Sequence, residues 1–254
     1  MGDQGLYLYA VCRGLDPEVL AGVPALGGSK LQVLEVLDLQ AVVSAVSLDE
    51  FGEEALRANL EHFDWVERTA RGHDAVIQVC GSSAPTAPMR MATIYLDDWS
   101  VRRRLELWYD ALVAALNRVT GRQEWSVKVY ARGSSRAATR EAEPAATGGA
   151  AYLRQKKAAA DQRRAAESQA MAAAREVDQV LGDRAVAVRH LRAQDPNLSG
   201  VEETMLLNGA YLVDERSAAE FTTQVAQLVA AHPEVSIACG GPWPPYSFAT
   251  VEDQ

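Results

Sequence analysis

WSVKVY, residues 125–130, alternates cleanly, with Trp125, Val127 and Val129 on one side of an extended chain. Side chains of a strand point to opposite faces in turn, so this pattern predicts a strand with one buried face. The fold is read from what comes after it. Residues 131–150 are poor in bulky apolar side chains and read as a linker or disordered loop. Residues 151–181 are alanine-rich and charged, with strong helix propensity. VAVRHLR at 186–192 predicts a strand, DPNLSG a turn, and TMLLNGAYLV at 204–213 a further strand. Ser217 and Glu220 have capping-box spacing and open a helix carrying Phe221, Val225 and Leu228, which stops at His232-Pro233. VSIACG at 235–240 is the last strand. From residue 123 the order is therefore strand, helix, strand, strand, helix, strand. That is the ferredoxin-like βαββαβ arrangement, two split βαβ units sharing one antiparallel sheet.

The first half reads as a related layer. LYLYAVC at 6–12 predicts a buried strand that ends at Gly14, and DPEVLAGVPALGGSK at 16–30 a loop. LQVLEVLDLQAVVSAVS at 31–47 splits at Asp38 into two strands of a hairpin. Ser47 and Glu50 make a capping box for a helix over 50–71, where Leu56, Leu60, Phe63 and Ala70 recur at helical spacing. Asp64–Arg68 and Glu67–Arg71 are i,i+4 pairs on its wet side. AVIQVC at 75–80 predicts another strand and GSSAPTAPMR a loop. A helix over 99–119 turns Val101, Leu105, Trp108, Leu112, Ala115 and Val119 to one side and ends at Gly121. The fold class is α+β, with helices on one face of the first sheet. The predicted domains are an N-terminal α+β domain at 1–122 and a ferredoxin-like domain at 123–240 with a long alanine-rich helix near 150–181. An extended proline and aromatic tail occupies 241–254.

That tail holds the most unusual run, GGPWPPYSF at 240–248. Pro242, Pro244 and Pro245 lack backbone donors and fix φ, which rules out a central strand or a helix interior. Trp243 and Pro244 each precede a proline and are pushed towards extended geometry. The expectation is a stiff arm presenting Trp243, Tyr246 and Phe248, with little entropy to lose on docking. It either packs its rings into its own chain or docks on another chain, and docking within the chain is the more economical, because exposed aromatic clusters are costly.

Composition narrows the function. The chain has 254 residues, 48% of them hydrophobic and 23% charged, enough for proper cores. A net charge of −9 argues against nucleic acid or an anionic membrane as the main partner. Cys12, Cys80 and Cys239 are odd in number and lie in apolar runs, so they read as reduced thiols of a cytoplasmic protein. Asp3 stands where a signal peptide would be basic, and the apolar run at 31–48 is broken by Glu35 and Asp38, so neither a secretory leader nor a membrane span is expected.

The search for catalytic chemistry returns little. His62, His73, His190 and His232 do not pair at ligand spacing, and no phosphate loop, dinucleotide fingerprint or nucleophile elbow occurs. No catalytic, cofactor or metal residues are assigned. Two positions carry an alternative reading as a small-molecule site: His73, at the join of a predicted helix and strand, and Arg90, in the proline loop. Their plainer roles are a helix-capping histidine and a loop guanidinium that satisfies carbonyls or pairs an acid. Arg154, Lys156, Lys157, Arg163 and Arg164 lie on the alanine-rich helix as a solvated face or an attraction for an acidic protein surface.

Several of these segments together resemble the gas vesicle protein F/L family. They are LYLYAVC, PMRMAT at 88–93, EWSVKVY at 124–130, GAAYLRQK at 149–156, NGAYLV at 208–213 and GPWPPYSF at 241–248. They run in order over nearly the whole chain, and the last is the most specific. At Met91 and Ala92 the family carries an aromatic and a glycine, a departure confined to the proline loop. The resemblance implies a non-enzymatic accessory or minor structural role in gas vesicle assembly, in the cytoplasm and at the gas vesicle. The implied partners are the small hydrophobic shell protein and other gas vesicle proteins, with no cofactor. It also implies that Trp243, Pro244, Pro245, Tyr246 and Phe248 dock or bind a partner, the tail folding back towards the N-terminal domain. From the residues alone, a general protein-interaction adaptor remains an alternative.

Overall fold

The computed structural model describes residues 3–132, 149–192 and 203–249. The linker expected over 131–150 and the DPNLSG turn fall almost wholly outside them. The chain resolves into two compact units, Met1–Gln123 together with Trp243–Gln254, and Glu124–Pro242.

In the first unit, strand β1 (Gln4–Cys12) pairs with β3 (Leu39–Ser47), which pairs with β2 (Leu31–Val36) in an antiparallel hairpin. Leu37 takes φ 58 in the tight turn before Asp38. GSSAPTAPMR was expected as loop, yet from residue 86 to residue 95 the chain lines the other side of β1. Strand β4 (Thr86–Pro88) pairs with its end and β5 (Ile94–Tyr95) with its start. The prolines mark this segment as an edge: Pro88 has no donor to give a further strand.

Short helices α1 (Leu48–Phe51) and α2 (Glu53–Asn59) follow the hairpin, then α3 (Phe63–Ser83). The single helix expected over 50–71 is thus broken, at Gly52, which is extended with ψ 161, and again before His62. The capping box is half made. Ser47 accepts from the Asp49 amide, while Glu50 accepts the indole N–H of Trp65 at 2.8 Å. The strand expected over 75–80 does not exist. Those residues continue α3, where Trp65, Thr69, His73, Val76, Ile77 and Cys80 are buried at steps of three and four.

The second helical stretch is also broken. Helix α4 (Asp98–Leu107) and α5 (Tyr109–Val119) meet at Trp108, and Asp97 caps α4 through the Ser100 amide. Trp108 is not on the buried face as expected. It lies half-covered beneath the Arg104 guanidinium, 4.6 Å from the ring centroid, and Leu116 takes the core position. Every residue of β1 from Tyr7 to Cys12 is buried, so both faces of this sheet are covered. Tyr7, Tyr9 and Cys12 meet α3, whereas α4 and α5 lie against β2 and β4. Helices on one face only was the expectation, and the unbroken apolar run of β1 is the reason it fails.

The second unit contains β6 (Arg122–Ala131), α6 (Gly149–Gly182), β7 (Ala187–His190), β8 (Met205–Asp214), α7 (Ala218–Ala231) and β9 (Val235–Trp243). Its strand order is β7-β8-β6-β9, with β7 and β8 antiparallel. Trp125, Val127 and Val129 of β6 meet Ala173, Val177 and Leu181 of α6 and Phe221, Val225 and Leu228 of α7. The α7 capping box does not form. Ser217 makes no side-chain cap and ends a 3-10 turn, Glu215–Ser217, that leads directly into the helix. Tyr211 donates to Asp178 at 2.7 Å, and the same carboxylate receives His190 at 2.9 Å, tying α6 to β7 and β8.

Candidate functional site

Trp243 ends β9, an edge strand, which is where prolines can be carried. Pro244 and Pro245 then turn inward and are buried. Beyond them the chain does not stay extended: Tyr246–Ala249 forms a helical turn, α8. Two consecutive prolines hold φ near the helical value just before it, the position where proline starts a helix rather than breaking one. The amides of Phe248 and Ala249 close onto the Pro245 carbonyl at 3.1 and 3.0 Å. The reading of this stretch as an extended arm is corrected accordingly. Its aromatics also separate: Trp243 stays 48% exposed, while Phe248 is buried and Tyr246 partly so.

The surface that receives the segment comes from α3, α5 and β4. Pro244 sits against Gly81 of α3; a Cβ there would lie 3.3 Å from the proline ring, so a small residue makes the approach possible. The Tyr246 hydroxyl donates to Asp74 at 3.1 Å, and its ring packs on the α3 side of the core. Burial, with the nearby Asp74 carboxylate, pushes the Tyr246 phenol far above its ordinary value. Arg118 of α5 donates to the Phe248 carbonyl at 3.1 Å, satisfying one of the carbonyls that a helix end leaves open. Asp74, Gly81 and Arg118 were not singled out by sequence. The one signal nearby was His73, the neighbour of Asp74 in sequence.

His73 and Arg90 do border one hollow of about 390 Å³, with Met89, Met91 and Tyr246. Within it, both ring nitrogens of His73 are engaged by the protein itself. His73 is buried in the middle of α3, not at a helix end. Its Nδ1 lies 3.0 Å from the Tyr7 hydroxyl and its Nε2 3.2 Å from the Met89 carbonyl. The Tyr7 hydroxyl in turn accepts from the Ala92 amide at 2.9 Å. A neutral ring donating from Nε2 and accepting at Nδ1 satisfies all three partners. This network pins the 89–92 turn, in which Ala92 has φ 63, to β1 and α3. Arg90 is exposed and forms no ion pair among the described residues. No group of three or more His, Cys, Asp or Glu among the described residues could hold a metal ion.

The histidine's burial has a pH consequence. Desolvation is the main cause that holds the His73 pKa below 6.5. A group with a depressed folded-state pKa contributes stability that is present above its unfolded pKa and lost as pH falls. The first unit therefore loses stability as pH drops below about 6.5, and His73→Gln removes part of that loss. Urea midpoints of the two proteins at pH about 7.5 and about 5.5 check this. Equal acid losses in both would refute it.

No helix of the described residues is long and apolar enough to cross a membrane. The chain matches the family model of the gas vesicle synthesis proteins GvpL/GvpF over residues 5–250. It is 40% identical to gas vesicle protein L of Streptomyces sp. (strain CB03234), an alignment covering 99% of this chain and 95% of that one. It is 22% identical to gas vesicle protein F2 of Halobacterium salinarum, covering 99% and 94%. The fold resembles the crystal structure of GvpF from Anabaena sp. PCC7120, with a TM-score of 0.69 at 18% identity over 98% of both chains. GvpF from Microcystis aeruginosa gives a TM-score of 0.64 at 18% identity, over 97% and 99%. A family model matched from residue 5 to residue 250, together with 40% identity to a relative over 99% of the chain, means that the chain belongs to the GvpL/GvpF family of gas vesicle synthesis proteins.

Proposed function

We propose that this chain is an accessory or minor structural protein of gas vesicle assembly that binds the small hydrophobic shell protein and helps nucleate or build the wall. The observation that carries the reading is the family match from residue 5 to residue 250, together with 40% identity to a gas vesicle protein L over 99% of the chain. The architecture suits capture of an apolar subunit. Edge strands β2, β7 and β9 offer unpaired backbone groups to which an extended segment can add. The net charge of −9 keeps such a complex in solution. For the second unit we infer the ferredoxin-like arrangement, because its element order βαββαβ and its strand order β7-β8-β6-β9 are those of that fold. The docked Pro244–Phe248 segment has a supporting part: it closes the first unit beside β4 and so holds the sheet that would receive the partner.

Deleting the gene from a host that makes gas vesicles checks the reading. Loss or malformation of vesicles under electron microscopy, restored by the full chain, is the expected outcome. Vesicles of normal number and shape in the deletion strain would refute it.

A further inference from the structure

We propose that the exposed half of α6 docks on the α2–α3 corner of a second copy of this chain. Helix α6 has 34 residues, yet from Tyr152 onward its first buried side chain is Ala170. From Tyr152 to Gln169 every side chain is exposed, about 27 Å of helix with one charge sign in excess. Arg154, Lys156, Lys157, Arg163 and Arg164 stand against Asp161 and Glu167, a net of +3 in a chain whose total is −9, so the remainder carries −12. None of the five cations forms an ion pair among the described residues. At the start of this stretch Tyr152 and Leu153 are more than half exposed.

The complementary surface lies on the same chain. LEHFD, residues 60–64, runs from the end of α2 into the first turn of α3 and is exposed throughout, with Phe63 at 78%. Around it Glu53 and Glu67 are answered by Arg57 and Arg71, and Glu50 by the Trp65 indole. Asp49, Glu54, Glu61 and Asp64 are left exposed and without an ion pair among the described residues. One patch is thus an apolar centre with an acidic rim, and the other an apolar end with a basic flank. Opposite rims steer encounter and fix register, while the aromatic and leucine side chains supply the burial. Because neither patch matches itself, the contact joins unlike surfaces, and it closes reciprocally between two copies or continues head to tail. This contact is independent of the shell-protein reading.

Sedimentation of the purified full chain over a range of concentrations tests it. The expected result is a mass that rises with concentration at about 50 mM salt and returns to the monomer at about 500 mM. The variant Lys156→Glu, Lys157→Glu, Arg163→Glu, Arg164→Glu and the variant Glu54→Lys, Glu61→Lys, Asp64→Lys each weaken association at least about tenfold. All seven positions are exposed, and unchanged circular dichroism confirms that both variants fold. An equimolar mixture of the two variants associates again, because the acidic helix of one meets the basic corner of the other. A chain that stays monomeric at low salt, association indifferent to salt and charge reversal, or a mixture that fails to reassociate overturns the proposal.

Discussion

Replacing Phe248 with alanine lowers the stability of the first unit by about 3 kcal/mol. The ring is 5% exposed and lies in the one helical turn that Pro244 and Pro245 start. A buried phenylalanine truncated in a rigid core costs about 3–5 kcal/mol, and the lower end applies here because the segment can peel away and hydrate. Peeling also sets a ceiling, since no substitution can cost more than the docking free energy of the segment. A chain that ends after Trp243 measures that ceiling directly. Gly81→Leu should approach it from the other side, by placing side-chain atoms where the Pro244 ring sits 3.3 Å from the Cβ position. The three proteins therefore fall in one order of urea midpoint: Phe248→Ala highest, Gly81→Leu lower, and the shortened chain lowest. A change below about 0.5 kcal/mol for Phe248→Ala would show that the segment contributes nothing to the unit.

Val177→Asp has the larger effect. Val177 is wholly buried at the centre of the second core, among Val127, Val129, Tyr211 and Phe221. A carboxylate there has no partner, so it must be protonated or left uncompensated, and the cost exceeds about 4 kcal/mol. The same change at Ala159, on the exposed half of the same helix, costs about 0.5 kcal/mol. Equilibrium unfolding followed by circular dichroism separates the two. Similar losses at both positions would mean that α6 is anchored along its whole length, against the burial pattern described above.

Legibility in the sequence followed periodicity. Strand β6 and helix α7 carry side-chain repeats that agree with their packing, β1, β3 and β8 are marked by apolar runs and α6 by helix propensity, and the tight turn at Asp38 separates two clear strands. AVIQVC misled because its β-branched run has strand composition, although the repeat from Trp65 through His73 to Cys80 is helical and passes through it without a break. The breaks at Gly52 and Trp108 turn on backbone angles set by tertiary packing, which no repeat records. In the tail, three prolines announced stiffness, but the helical turn after them depends on where a proline stands relative to the first turn. The receiving residues were out of reach. Asp74, Gly81 and Arg118 come from two helices, and no local pattern links them to a segment more than a hundred residues away. The tyrosine–histidine network that occupies His73 was hidden for the same reason, since Tyr7 is 66 residues distant.

We propose direct binding of the vesicle shell subunit, through a first unit held in shape by its docked tail. Co-purification of the tagged full chain with the small shell protein, beside the Phe248→Ala variant, tests it most directly. The expected result is that the full chain retains the shell protein and that Phe248→Ala retains less, in proportion to its loss of stability. A folded full chain that retains none would contradict it.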